Sequence, residues 1–355
     1  MTLDIKRVYN HYMILTYKVK HNHNFSKELA IAKKVADFAI QNRDKLSSKN
    51  VAYLGLKSVI SNQILRKYGR NQKAKSVKSV NLIIPNQGIR YKTGVIKISS
   101  LKLEIPFTKT FEKINQIELN NEYAFVSVTV KEKPIVKTER HLGVDLNTTG
   151  HCAVVAIKET GKVYKLGKKA EHIHKKYKQI RKNLQKKGLY KTVKKIKNRE
   201  QRIVRDLNHK ISRFIVTRAI ENKAEIRLED LKGIRQTTKS QKSFKYSLNS
   251  WSYYQLGEFI KYKALLAGIP IFFIEPAYTS KCCSKCGQIG IRNDKSFKCP
   301  CGHVENADSN AAFNIALVSK SILQLQAERD VCKSHTDKAQ MATQLSSATI
   351  EPRCL

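Results

Sequence analysis

The chain carries 68 Lys and Arg against 28 Asp and Glu over 355 residues, a formal net charge of +40 at pH 7. No globular fold requires that excess, which marks a polyanion as partner, most simply nucleic acid. With 41% apolar and 8% aromatic residues most of the chain is expected to fold, as two domains or more, while no apolar run approaches the roughly 18 residues of a transmembrane helix.

Met1 to Lys20 mixes Asp, Arg, His and Lys through its apolar residues and so predicts no secretory signal, from which an intracellular protein is expected. Strands are predicted at Tyr12–Val19, Ser79–Ile84, Val95–Ile105 and Tyr123–Val130, the last from the alternation in Val126-Ser127-Val128-Thr129-Val130. Between the first two, Ser26 is placed to cap a helix whose stripe is Leu29, Ala32, Val35, Phe38 and Ala39. A second helix follows the Ser47–Asn50 break with Leu54, Val59, Ile60 and Ile64 on one side. This layout predicts a small β-barrel with an inserted helical lobe.

From His141 the order becomes βββαβαβα. Strands are predicted at Leu142–Leu146, Cys152–Ile157, Val163–Leu166, Glu225–Leu231 and Ile269–Ile274. A long basic helical stretch covers Ala170 to Asn222, with the stripes Ile173, Tyr177, Ile180, Leu184 and then Val193, Ile203, Leu207, Ile211, Phe214. Lys175, Lys176, Lys178, Arg181, Lys182, Lys186 and Lys187 line the other face of its first helix, a run read as contact with a nucleic-acid backbone. Further helices are expected at about Ser252–Ala267 and Ala307–Leu325, and after Ile322 the composition predicts a weakly ordered tail. Antiparallel strands followed by strand–helix alternation predict an α/β fold with an RNase H-like sheet.

Three acids stand out because each sits in or beside an apolar run. They are Asp145 in Leu142-Gly143-Val144-Asp145-Leu146, Glu229 in Ile226-Arg227-Leu228-Glu229-Asp230-Leu231, and Asp308 in Asn306-Ala307-Asp308-Ser309-Asn310-Ala311-Ala312. Burying an unpaired carboxylate is costly. In the RNase H-like layout all three fall at one edge of the sheet, where hard oxygen ligands suit Mg²⁺ or Mn²⁺ and paired ions activate water for phosphodiester hydrolysis. Asp308 also has a plainer explanation, a carboxylate complementing the dipole in the first turn of a helix.

Five of the eight cysteines lie between Cys282 and Cys301. Cys283-Ser284-Lys285-Cys286-Gly287 and Cys299-Pro300-Cys301-Gly302 form two hooks, each with a glycine that permits a tight turn, and four thiolates so arranged suit a structural, tetrahedral Zn²⁺. The second hook is one residue shorter than usual, and Cys282 or His303 is available in place of a neighbouring ligand. Cys152, Cys332 and Cys354 are read as ordinary thiols.

With Gly143-Val144-Asp145, Leu228-Glu229-Asp230-Leu231, Tyr278-Thr279-Ser280-Lys281-Cys282-Cys283-Ser284-Lys285-Cys286-Gly287 and Asn306-Ala307-Asp308-Ser309-Asn310-Ala311-Ala312-Phe313-Asn314-Ile315, the chain resembles the TnpB family, transposon-encoded proteins related to the type V CRISPR effectors. Trp251-Ser252-Tyr253-Tyr254-Gln255-Leu256 and Lys261-Tyr262-Lys263-Ala264 belong to the same match, which covers residues 141 to 317; the N-terminal half matches in general layout only. The chain departs from the family pattern in its Cys-x-Cys hook, the extra Cys282 and a compact N-terminal half.

The resemblance implies a wedge-like β-barrel over 1–140 with a helical recognition insertion at about 25–72. It implies a RuvC-like nuclease domain over 141–275 and 305–325, a zinc-bearing target-nucleic-acid-binding insert over 276–304, and a weakly ordered tail over 326–355. It further implies RNA-guided DNA cleavage in the cytoplasm, near the nucleoid, with a guide RNA from the transposon end, target DNA, and Asp145, Glu229 and Asp308 as the catalytic acids. In that scheme the displaced strand reaches the acids along a basic groove, where Tyr246, Trp251 and Tyr254 could stack bases or pack in the core. Two alternatives stand beside it: an RNA-guided repressor that does not cut, and a guide-free transposase or structure-selective nuclease.

Overall fold

The computed structural model describes residues 6–7, 12–131, 133–147, 150–231 and 253–317. Tyr246, Trp251 and the predicted tail lie outside these residues. The architecture is mixed α/β, in two compact units: Asn10–Glu132, and Lys133 onward together with the first nine residues, which include strand β1 (Lys6–Arg7).

In the first unit β2 (Tyr12–Lys20) leads into helices α1 (Ser26–Gln41) and α2 (Ser58–Gly69), then strands β3 (Leu82–Pro85), β4 (Arg90–Lys92), β5 (Val95–Ile98), β6 (Leu103–Pro106), β7 (Lys113–Leu119) and β8 (Tyr123–Lys131). These make two antiparallel sheets, ordered β2-β8-β7-β3 and β4-β5-β6. The expected single strand over Val95–Ile105 is two strands, separated by a helical turn at Ser99–Leu101 that ends on Lys102 in the left-handed region. One core joins the sheets to the helices, with Ala32, Val35, Ala36 and Ala39 of α1 and Ile60, Ile64 and Leu65 of α2 fully buried.

Ser26 does not cap α1. It is the first helical residue, and its amide and hydroxyl both donate to the Asn24 side chain, at 3.0 and 2.7 Å. Asn24 is thus the residue that turns the chain into the helix, a role short polar amides fill by bonding the backbone two residues on. The second stripe also shifts: Leu54 ends a separate 3₁₀ turn (Ser48–Leu54) and Val59 is exposed.

The second unit is built on a six-stranded mixed sheet, ordered β1-β13-β12-β9-β10-β11. Its strands are β9 (Arg140–Leu146), β10 (Ala153–Ile157), β11 (Val163–Leu166), β12 (Ala224–Glu229) and β13 (Ile271–Ile274). β9, β10 and β11 pair antiparallel, whereas β12 runs parallel to both β9 and β13. The basic stretch is three helices, α3 (Lys169–Lys186), α4 (Tyr190–Ile196) and α5 (Arg199–Glu221); α6 (Tyr253–Ala267) and α7 (Ala307–Leu317) complete the set. Between β13 and α7 a small sheet contains β14 (Ile291–Asn293), β15 (Ser296–Lys298) and β16 (Val304–Asn306).

Period-two alternation decides which helix each strand residue meets. Leu142 and Val144 of β9, with Ile226 and Leu228 of β12, join a core with Ile211, Ile215 and Ala219 of α5 and Leu256, Ile260 and Ala264 of α6. The odd-numbered residues of β9 and β12 turn to the opposite face, where α7 lies and Val154 and Ala156 pack on Ala312. In α5 the buried face is Val204, Asn208, Ile211, Ser212, Ile215, Val216 and Ala219, while Ile203 is exposed, so the expected stripe is rotated. Two polar residues inside that face, Asn208 and Ser212, hid its true position. Asn208 is satisfied by Gln255 of α6, at 3.1 Å.

Candidate active site

The acids are placed by the alternation. Asp145 lies near the end of β9 and Glu229 ends β12, both on the face covered by α7, whose first turn supplies Asp308. Asp308, Ala312 and Ala316 are spaced i, i+4, i+8 and share one face of the helix, which meets β9 at Gly143. Gly143 and the alanines let helix and strand approach closely, and this brings Asp308 into electrostatic contact with Asp145, while Asp145 acts in turn on Glu229.

Both Asp145 and Asp308 are buried. Burial pushes the Asp145 carboxyl up to about 7; a hydrogen bond from Asn147 Nδ2 to its Oδ2, at 2.7 Å, opposes the shift, and the like charge of Asp308 adds to it. Burial, then the charge of Asp145, raises Glu229 to about 8, against a hydrogen bond from Thr279 Oγ1 to Oε1 at 2.5 Å. Asp308 is held by two cations of the small sheet: Arg292 Nη2 lies 3.1 Å from Oδ1 and Lys295 Nζ 2.7 Å from Oδ2. Strand β14 and the Asp294–Lys295 turn, with Asp294 at φ 48°, bring them there. Asp145 is thus coupled by charge to Asp308 on one side and to Glu229 on the other, and carboxylates so placed are oxygen donors of the kind a hard divalent cation takes.

Sequence reasoning did not find Arg292, Lys295, Asn147 or Thr279. The basic pair lay among solvated charges beside the second cysteine hook, and its proximity to Asp308 depends on the β14–β15 hairpin folding back. The spacing Asp145-x-Asn147, which returns to the same side of the strand, was a usable signal for Asn147.

The cysteine hooks converge as well. The Sγ atoms of Cys283, Cys286, Cys299 and Cys301 all lie within 4.8 Å of one another, with Cys283–Cys301 at 3.8 Å and Cys286–Cys299 at 3.5 Å. A tetrahedral ion with zinc–sulfur bonds near 2.3 Å would set neighbouring sulfurs about 3.8 Å apart. Gly287 and Gly302, at φ 77° and 83°, close the two hooks, and their amides donate to the carbonyls of Cys283 and Cys299. The backbone N–H of His303, then the Cys299 and Cys286 thiols, lower Cys301 to about 7. Burial and the neighbouring thiols overcome the pull of the Cys301 backbone amide and push Cys299 up to about 12. A thiolate is thus favoured at Cys301 and opposed at Cys299 and Cys286, and a cation among the sulfurs would favour the charged form. Cys282 and His303 stand outside this group of four: Cys282 is buried and bridged by backbone to Ile289, and His303 Nε2 pairs with Glu305.

Residues 253–315, from α6 through the hooks into α7, match the family model described as Cas12f1-like, TNB domain. A TnpB-like protein of Methanocaldococcus jannaschii is 32% identical over 255 residues, covering 69% of this chain and 84% of that protein. The chain belongs to the TnpB family. Its relation to type V effectors is seen in the CRISPR-associated endodeoxyribonuclease Cas12f1 of Sulfoacidibacillus thermotolerans, 32% identical over 287 residues, which cover 75% of this chain and 64% of that protein. A solved Cas12f1–sgRNA–target DNA complex covers 86% of this TnpB-family chain and 99% of its own at 19% identity, with a TM-score of 0.43. Among the described residues no helix is long and apolar enough to cross a membrane.

Proposed function

We propose that this TnpB-family protein is an RNA-guided DNA endonuclease whose cleavage centre is Asp145, Glu229 and Asp308. The observation that carries the reading is that Asp145 interacts with both Asp308 and Glu229 on one face of the sheet, in a chain of net charge +40. A protein that only bound nucleic acid would gain nothing from carboxylates gathered where they repel phosphate. In this reading the second unit is an RNase H-like domain of the RuvC type, the 276–304 segment is a zinc-bearing insert that touches target nucleic acid, and the first unit is a wedge-like body with a helical insertion. The partners are a transposon-derived guide RNA and target DNA, with sequence read by base pairing and the protein holding the backbone through its lysines.

The carboxylate oxygens of Asp145, Glu229 and Asp308 would hold Mg²⁺ or Mn²⁺, and a divalent ion there supplies Lewis-acid stabilisation of charge on a phosphate undergoing in-line attack. The protein's own share is to orient the donors. Asn147 fixes one oxygen of Asp145 and Thr279 one oxygen of Glu229, while Arg292 and Lys295 each hold one oxygen of Asp308. The four thiols would hold Zn²⁺ as a structural ion.

The test is a reconstituted guide complex assayed for binding by gel shift and for cleavage on matched DNA with a randomised flank. Asp145→Ala is expected to lose cleavage by orders of magnitude while still binding guide and target, and wild-type cutting is expected to stop without Mg²⁺ or Mn²⁺. Binding of the matched target without cutting would return the repressor reading. Cutting by protein freed of RNA would favour a guide-free nuclease.

A further inference from the structure

Thr279 lies between β13 and the first cysteine hook, outside every regular element, and yet it is 2% exposed. Its hydroxyl has two acceptors in reach, Glu229 Oε1 at 2.5 Å and the Pro276 carbonyl at 2.9 Å. A hydroxyl carries one proton and donates to one of them at a time. Its backbone is fixed separately. Asn314 of α7, 1% exposed, donates from Nδ2 to the Thr279 carbonyl at 2.8 Å and to the Cys282 carbonyl at 2.7 Å. One turn earlier Asn310, fully buried, donates to that same Cys282 carbonyl at 2.7 Å and accepts from the Ser284 amide at 2.9 Å.

The consequence concerns α7, which is buried on nearly every side. One side rests on Gly143, two residues before Asp145; its first turn carries Asp308; and its two asparagines hold the segment from which Thr279 reaches Glu229. A buried amide is costly unless bonded, so asparagine at 310 and 314 fixes a geometry that leucine in a helix this apolar would leave undetermined. We infer that Thr279 is a positioning residue that sets the Glu229 carboxylate, and that Asn314 makes this setting depend on the helix that bears Asp308. The inference rests on the reading of the three acids as a divalent-metal site. Groups that hydrogen-bond a ligating carboxylate orient it, and losing one typically costs roughly tenfold to a hundredfold in metal affinity or activity.

The experiment titrates Mn²⁺ alone into the full zinc-loaded chain and counts free Mn²⁺ by electron paramagnetic resonance. Thr279→Val keeps the shape and removes the hydroxyl; Thr279→Ser keeps the hydroxyl. The valine variant is expected to lose roughly tenfold to a hundredfold in Mn²⁺ affinity at full zinc content, and serine to restore it to within a few-fold of wild type. In a Glu229→Gln background Thr279→Val is expected to change Mn²⁺ binding little further, because the ligating carboxylate it orients is gone. If Thr279→Val fails to hold zinc, Thr279→Ala replaces it with the same expectation. Wild-type Mn²⁺ affinity in a zinc-replete variant without the hydroxyl, or a serine variant as weak as valine, would overturn the inference. The acid-site reading fails differently: wild type and Asp145→Ala would then bind Mn²⁺ alike, and the present inference would fall with it.

Discussion

Gly143 lies so close to Ala312 that a Cβ built on the glycine would stand 2.1 Å from the Ala312 carbonyl oxygen, and 2.5 Å from the Ala316 amide nitrogen. Both obstacles are backbone of α7, and no rotamer change relieves them. Overpacking usually costs about 1–3 kcal/mol where side chains can yield. Gly143→Ala is therefore expected to destabilise by about 3 kcal/mol, at the top of that range, and to displace Asp308 from Asp145. Denaturant unfolding measures the first effect; loss of cleavage in the fraction that remains folded measures the second.

The four-thiol cluster makes a second expectation specific to single cysteines. Emission spectrometry on protein in metal-free buffer is expected to find one zinc per chain, with Cys283→Ser and Cys299→Ser losing it together with the local fold. Cys282→Ser is expected to keep it, because the Cys282 sulfur is outside the group that converges. Zinc lost from Cys282→Ser and retained in Cys299→Ser would reverse the ligand assignment.

Asp145 and its neighbour Glu229 give the protein a pH dependence with a definite sign. Asp145 and Glu229 are raised to about 7 and about 8, above the ordinary carboxylate range near 4. Between those limits the folded state holds protons that the unfolded chain has released, so this contribution to stability is whole below about pH 4 and lost as pH rises toward 8. With zinc bound and no Mg²⁺ or Mn²⁺ added, Asp145→Asn and Glu229→Gln are expected to flatten that part of the wild-type fall in melting temperature between pH 5 and pH 8. Calorimetry across that range decides it. Mn²⁺ affinity is expected to climb over the same interval, since the ion binds the deprotonated acids.

What the sequence disclosed and what it hid follow from the same period-two logic. Leu142 and Val144 against Gly143 and Asp145 gave both the strand and its acid, and the pattern repeats in Ile226, Leu228 and Glu229. Strand β7 escaped notice because a register shift between Ile114 and Gln116 breaks its alternation, leaving Ile114, Ile117 and Leu119 as the buried set at spacings of three and two. The buried cluster in which Arg227 pairs with Glu225 at 2.8 Å and donates to the Ala316 carbonyl at 2.7 Å was also unreadable. Its charges look solvated until α7 is laid across them, and that packing joins residues about ninety positions apart in the chain.

Arg292 and Lys295 occupy both oxygens of Asp308, and a divalent ion on that carboxylate has to share or displace them. Removing Lys295 therefore has two effects of opposite sign. The metal-free protein loses a partner for a buried carboxylate. The Lys295 side chain is 33% exposed, so the cost of Lys295→Gln lies between the roughly 0–1 kcal/mol of a surface pair and the roughly 3–5 kcal/mol of a fully buried one, about 1–2 kcal/mol. The Mn²⁺ form loses a competitor 2.7 Å from Oδ2, so its affinity is expected to rise severalfold. A ligand bound only by the folded state adds stability that grows with the logarithm of concentration over dissociation constant. The gap in melting temperature between metal-free and Mn²⁺-saturated protein is thus expected to widen in Lys295→Gln, and again in the double variant with Arg292→Gln. An unchanged gap would mean that the basic pair and the divalent ion do not compete for Asp308.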